Sequence, residues 1–387
     1  MSISVIVYDA LIGDPSTSAR AFDDQLVSRM DSYSHSISVD GGYKDMSIGF
    51  HGTESEIQFW YEQGLGRKAE TRSPEGTVIW EGFINEISIQ LGGLSMSIGP
   101  VLDMANRVYV TYTEKKWVPW GVPWGGGPKI TPVAEDTDSQ SKYGIMVEYV
   151  SGSSGTDAEM LTLRDAHLAD RAQPFVSQAT VRAPGGEAPS VSLSCLGYGA
   201  LLEKYTYDDD SAGTTTASGK IENVITADPS SRFSSDYSLI DSNALVVPSV
   251  EEEHKTASTI LKELVSYGDS SDNRHILGVY NDRRVEYGAI SSAAAYTYSV
   301  TDEGSRIIDM LTNTTVHPWS VRPDKWLIVL GLTTSQMPIG DIATMRNSPA
   351  AMYIESVTFT APYSVSIQSG PTATFSQKLS RLGVGLQ

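Results

Sequence analysis

The chain has 387 residues, 40% apolar and 19% charged, with 47 acids against 28 bases and a net charge of −19. That is enough chain for two or three domains and more than one core, and its composition is that of a folded protein. The acidic balance excludes ordinary nucleic-acid binding through phosphate contacts, which needs clustered Lys and Arg. It fits solubility, or a wall past which a polyanion slides without sticking. The single cysteine, Cys195, excludes an intrachain disulfide framework and a multi-thiolate metal site, and reads as a buried structural thiol.

The start, Met1 to Asp9, has no basic n-region and meets an acid early, so it does not read as a signal peptide. No stretch approaches the roughly 20 apolar residues of a membrane span. Synthesis in the cytosol is the expectation, with no stable membrane insertion. Val5 and Val7 alternate with Ile6 and Tyr8 as a strand, and Gln58 to Tyr61 reads as a short aromatic strand. A turn signal, Ser73-Pro74-Glu75-Gly76, precedes a strand from Thr77 to Ile84. Phe83, Ile87, Ile89 and Leu91 keep one parity beyond it. Gly92-Gly93 makes the next turn, then Leu94, Met96 and Ile98 alternate with serines, and Arg107 to Tyr112 is a further strand. Short strands at this spacing predict a sandwich or barrel.

Residues 115–128 hold Trp117, Trp120 and Trp124, three of the seven tryptophans, among Pro and Gly. A loop is expected, its indoles packed on the chain itself, on a partner subunit or on a sugar. Thr156-Asp-Ala-Glu159 is a capping box that opens a helix running to about Ala172. A second helix runs from Lys255 to Tyr267, with Ala257, Ile260, Leu261, Leu264 and Val265 on one face and Gly268 as its stop. Between them, Val191 to Tyr198 alternates as a strand, and 208–219 reads as a polar loop. The last third returns to strands: His275 to Tyr280 and Arg284 to Tyr287 flank a turn at Asn281-Asp282, followed by Trp326 to Leu330, Ala351 to Thr360 and Tyr363 to Ile367. Leu102-Asp-Met-Ala-Asn106 and Ile308-Asp-Met-Leu-Thr-Asn313 form a possible internal echo. The expected fold is mainly β with a smaller α+β middle region and two β-barrel or sandwich end domains: 1–133, a middle region 134–274, and 275–387.

Catalytic and ligand patterns are missing. The six histidines are scattered, and His51 with Glu54 lacks a third ligand for zinc. Gly152-Ser-Ser-Gly155 is one residue too short for a nucleophile elbow and is expected in a polar loop. Gly64-Leu-Gly66-Arg-Lys-Ala69 lacks the βαβ setting of a dinucleotide site. No enzyme activity, cofactor or metal is expected.

Several phrases taken in order resemble the tail or baseplate hub proteins of tailed bacteriophages. They are Gly76 to Ile84, Asn106 to Tyr112, Ser141 to Gly144, Cys195 to Tyr198 with Leu201-Leu202, Gly278 to Arg284, Val321 to Trp326, and Arg381 to Gly383. The resemblance runs from about residue 76 to the C-terminus. It implies two barrels resembling those of tail tubes within one chain, and a homotrimer whose six barrels meet a six-fold tube. The partners implied are a distal tail or tail-tube protein above and tip or fibre proteins below, around an acidic channel for transient passage of DNA. It implies a virion tail component, assembled in the bacterial host cytoplasm, with no catalytic residues to carry over. A six-fold distal tail adaptor, a receptor- or glycan-binding tip and a tail-associated hydrolase stay open beside it. The candidate interface residues are Trp117, Trp120 and Trp124 as aromatic anchors, and Arg107, Arg283 and Arg284 as inter-subunit ion-pair partners, against a solvated strand face.

Overall fold

The computed structural model describes residues 3–13, 20–22, 30–117, 123–182, 188–207, 215–247, 254–270, 273–291, 295–301, 304–328, 351–362 and 364–370. In chain order, its elements begin with β1 (Ser4–Leu11), β2 (Arg20–Phe22), β3 (Met30–Ser38), β4 (Asp40–His51), α1 (Glu54–Gln63), β5 (Arg67–Arg72), β6 (Val78–Leu91) and β7 (Leu94–Ile98). The middle supplies β8 (Arg107–Trp117), β9 (Pro123–Ile130), β10 (Ala134–Glu135), α2 (Thr137–Tyr143), β11 (Val147–Gly155), α3 (Asp157–Arg171), β12 (Val176–Val181), β13 (Ser190–Gly197), β14 (Thr215–Thr216), α4 (Ala217–Thr226), β15 (Val246–Val247) and α5 (Ala257–Tyr267). The last part holds β16 (His275–Val279), β17 (Val285–Ala289), β18 (Ala295–Thr301), β19 (Gly304–Asp309), β20 (Thr314–Val316), β21 (Trp326–Ile328), β22 (Ala351–Thr360) and β23 (Ser364–Ser369). The fold is mainly β, with its helices concentrated in the middle of the chain.

One large sheet curls into a half-barrel and runs through most of these strands. Its spine is β2–β1–β5–β6–β13–β4–β3–β22, antiparallel throughout. β13 lies between β4 and β6, so a strand from the middle of the sequence completes the sheet begun by the first hundred residues. Its sequence dictates the placement: Val191, Leu193 and Cys195 are buried, while the serines between them face outward. Period-2 alternation of this kind suits a strand with one packed face. β4 answers with Met46, Ile48 and Phe50, and α1 covers that face with Ile57 and Trp60, whose indole meets Phe50 edge-on at 5.7 Å.

The same edge of β4 is shared. Its far part pairs with β13, and its start, Asp40 to Gly42, pairs in parallel with β16. Gly42 has φ +78°, and a Cβ there would sit 2.2 Å from the Val279 carbonyl oxygen. Only glycine allows the two backbones to approach this closely. From β22 the sheet continues through β21, β18, β19 and β20, with β23 also on β22. Strands from all three sequence regions therefore hydrogen-bond into one framework. A separate four-stranded sheet holds β8 with β9, β10 and a parallel β11, and α3 lies on it with Met160 against Val110 and Tyr112.

Both anticipated helices form: Thr156 and Glu159 make the capping box of α3, and Gly268 ends α5 at φ +65°. Five local expectations fail. Gln58 to Tyr61 is helical, because Thr53 and Glu56 form a second capping box and Ile57 and Trp60 fall on one helical face. Residues 123–130 are strand β9, paired with β8; β9 has no other strand partner among the described residues, and proline is tolerated on such an edge because it removes no second ladder. Gly152 to Gly155 belongs to β11, and the end of the polar stretch at 215–219 forms β14 and the first turn of α4, while 208–214 lies outside the described residues. The internal echo marks unlike structure: Val101–Asp103 is a single 3-10 turn, whereas Ile308 and Asp309 end β19.

Candidate assembly surface

β6 pairs with β13 from Gly82 to Gln90, and its other edge is divided between β5 and β7. Residues Ile79 to Asn85 are buried on both faces, and after Glu86 the strand alternates as a half-exposed ribbon. The strand turns at Gly92 (φ +57°) into β7, and β12 pairs antiparallel with β7, so that β7 and β12 form a two-stranded arm continuing the sheet from that edge. β12 has no other strand partner among the described residues, and its side chains are almost all exposed. Val181 is 80% exposed and Val176 46%. Its sequence, Val-Ser-Gln-Ala-Thr-Val, has no proline or charge along the open ladder. An unguarded edge of this kind is a template for another strand.

The predicted residues fall in two other places. Trp117 closes β8 opposite Pro123, and Trp124 stands opposite Lys116, so the pair shares one hairpin end; Trp120 lies outside the described residues. Arg107 is at the opposite end of β8, roughly 33 Å away along the strand, and its Nε meets Glu135 at 2.5 Å. Arg284 pairs with Asp236 at 3.2 Å and Asp282 at 3.7 Å, and the Arg283 guanidinium lies 5.8 Å from the centre of the Tyr198 ring. Each arginine thus has a partner within its own chain. The arm was not anticipated as a unit: β7 was legible from its serine alternation, but the mostly polar β12 was not. Its β-branched ends, Val176 and Thr180-Val181, were the available signal.

A buried charge cluster locks the two ends of the chain together. Lys68 Nζ lies 2.9 Å from Glu70 and 3.0 Å from Glu81, Arg72 reaches Glu70 at 2.8 Å, and the Tyr8 hydroxyl donates to Glu70 at 2.8 Å. Burial pushes the Glu70 carboxyl up, but the hydrogen bonds from Lys68, Arg72 and Tyr8 outweigh it and hold that carboxyl below its usual value. At Glu81 burial wins over Lys68, and the carboxyl sits above its usual value. Glu81 also accepts the Asp282 backbone N–H at 2.7 Å, and the Arg322 guanidinium donates to the Val78 and Ile79 carbonyls at 3.3 Å. With a lysine between two carboxylates, 2% exposure at Glu81 and a backbone amide capping it, the arrangement clamps strands together. Cys195 is buried, which pushes its thiol far above the usual range and makes it inert. Among the described residues no group of three or more His, Cys, Asp or Glu side chains is placed to hold a metal ion.

No family model matches the sequence. No curated protein matches it either. Solved structures do resemble the fold. The tail protein from Neisseria meningitidis MC58 aligns over 93% of this chain and 92% of its own, at 6% identity and a TM-score of 0.40. The 43 kDa tail protein of prophage MuSo2 from Shewanella oneidensis aligns over 96% and 99%, at 9% identity and 0.40. Prophage tail protein gp18 from Listeria monocytogenes EGD-e aligns over 100% and 99%, at 9% identity and 0.34. Scores and identities of this size leave family membership unassigned.

Proposed function

We propose that this chain is a structural component of a bacteriophage tail, the hub at its tip or baseplate, and that copies of it assemble into a ring around the DNA path. The observation that carries this reading is the edge of β12, which pairs with no further strand among the described residues at the end of the β7–β12 continuation of the sheet. A protein that works alone guards such an edge with charge, proline or a covering loop; this one ends it on an exposed valine. The ordered hub-like phrases from Gly76 to Gly383 supply the tail context, and the charge of −19 suits a channel that DNA traverses without sticking. The role is structural rather than catalytic, because the buried carboxylates are consumed in a clamp. Three copies are favoured, joined to a distal tail or tail-tube protein above and tip or fibre proteins below.

A receptor- or glycan-binding role is the second reading, favoured by the presence of Trp117 and Trp124 in the backbone at one end of the β8–β9 hairpin. The test is the mass and symmetry of the purified protein, by light scattering and averaged negative-stain images. A three-fold ring supports the hub, a six-fold ring moves the chain to a distal adaptor, and a monomer at every concentration overturns both. Alanine at all three tryptophans, with ring formation intact and cell attachment lost, would transfer the assignment to the second reading.

A further inference from the structure

The clamp around Lys68 also holds the parts of a bond-forming reaction. β5 and β6 run antiparallel, with Glu70 opposite Glu81 and Lys68 opposite Phe83. Residues opposite one another, and their neighbours two positions along, share one face of a sheet. Lys68, Glu70 and Glu81 therefore meet on the same side. Lys68 Nζ lies 3.0 Å from Glu81 Oε1 and 2.9 Å from Glu70 Oε1. The other oxygen of Glu81, Oε2, accepts the Asp282 backbone N–H at 2.7 Å. None of the three side chains is more than 12% exposed.

Each group has a distinct chemical capacity. An amine is a nucleophile, and a carboxylate beside it can take its proton. A neutral carboxyl is a better electrophile than a carboxylate, and an N–H on its carbonyl oxygen stabilises the charge that develops there. Burial sets the protonation states to match. One lysine does not neutralise two enclosed carboxylates. Glu70 has Arg72 and Tyr8 as further partners and stays ionised, whereas burial favours the neutral form at Glu81. Burial also works against the Lys68 ammonium, but Glu81 and Glu70 outweigh it and hold the pKa above its usual value. The neutral amine is therefore rare and the reaction slow. A single event per molecule needs no fast rate. Nucleophile and carboxyl held in contact have the high effective molarity of an intramolecular reaction, and the enclosure keeps water from reversing it.

We propose that Lys68 and Glu81 join in an amide bond between β5 and β6, made by the folded chain itself with Glu70 as the base. A proton passes from Nζ to Glu70. The Nζ lone pair attacks Glu81 Cδ, and the carbonyl electron pair moves onto Oε2, where the Asp282 N–H holds it. The pair returns as the Cδ–Oε1 bond breaks. Oε1, which already carries the carboxyl proton, takes a second from Nζ and departs as water. One C–N bond forms, one C–O bond breaks, and nothing is oxidised or reduced. The product closes residues 68–81 into a ring that ties β5 to β6 covalently. This inference stands apart from the tail assignment and fails separately from it.

The test is the intact mass of the purified full chain, denatured after prolonged incubation at neutral pH. It is expected to fall below the sequence mass by one water. Peptide mapping by tandem mass spectrometry should place that loss in a branched peptide joining Lys68 to Glu81. Lys68→Arg and Glu70→Gln proteins should keep their full sequence mass. A wild-type chain at full sequence mass overturns the proposal, and so does a water lost at any other position. Conversion undiminished in Glu70→Gln would overturn the role given to that carboxylate. The wild-type mass and map decide by themselves, so a variant that fails to fold leaves the test intact.

Discussion

At the scale of single residues, stability rests on buried polar groups with complete partners. Asp228 and Arg232 are both fully buried, joined at 2.7 Å and reinforced by the Arg232 backbone N–H at 2.6 Å. Removing one partner leaves an uncompensated charge, so Arg232→Ala should lower the unfolding free energy by about 3–5 kcal/mol in urea titration. A loss below about 1 kcal/mol would show that the pair carries nothing. His35 is enclosed by Tyr33 and Phe359, with its Nδ1 2.8 Å from the Tyr33 hydroxyl. Burial, helped by the Arg322 charge, lowers its pKa from 6.5 to about 3. The unfolded chain therefore binds a proton below pH 6.5 that the folded chain refuses. Stability from this site is complete above that pH and falls by about 1.4 kcal/mol per unit as pH drops towards 3. His35→Phe should flatten the curve between pH 6.5 and 5; identical slopes in the two proteins would mean that His35 protonates in place.

At the scale of elements, strand junctions and edges matter most. Gly42→Ala drives a methyl into the Val279 carbonyl at the β4–β16 junction, and should cost about 2–5 kcal/mol. Gly76 has a similar φ of +84° with nothing within 4 Å of a Cβ, so Gly76→Ala should cost only about 1 kcal/mol. Thermal melts of the two variants separate the steric term from the backbone term, and equal losses would deny the close approach. On the arm, Val181→Lys places a charge on the open edge of β12. It should leave the melting temperature unchanged and weaken ring formation at least about tenfold, read by sedimentation. Unaltered assembly would move the interface elsewhere.

At the scale of the whole molecule, the interleaving of strands decides how the chain folds. Residues 1–133 lack β13, so β4 and β6 would keep bare hydrogen-bonding edges at the centre of the sheet. That fragment should not fold alone, as judged by circular dichroism and amide dispersion in NMR; a cooperative melt would show that it is an independent unit. Copies carrying −19 each also repel one another at range. Assembly should therefore strengthen as salt rises from about 0.05 to 0.5 M, because the Debye length shrinks from above 10 Å to a few ångströms. Weaker assembly at high salt would instead point to ion pairs across the interface.

The β-rich class, the two capped helices, the β16–β17 turn and the buried cysteine were legible in the sequence, because each depends on spacing and caps within a dozen residues. The helix over Glu54–Gln63 was legible in principle through Thr53 and Glu56, and was obscured by its aromatic run. The tertiary structure alone decided the rest. Neither β13's insertion between β4 and β6 nor β12's place on the arm leaves a local signal, since strand pairing is chosen by contacts between residues 78 to 151 positions apart. The partners of Arg107 and Arg284, and the clamp that Lys68 makes of two carboxylates, follow from that pairing. Local propensity is written along the chain, whereas which edge stays open is settled only when every other edge has been filled.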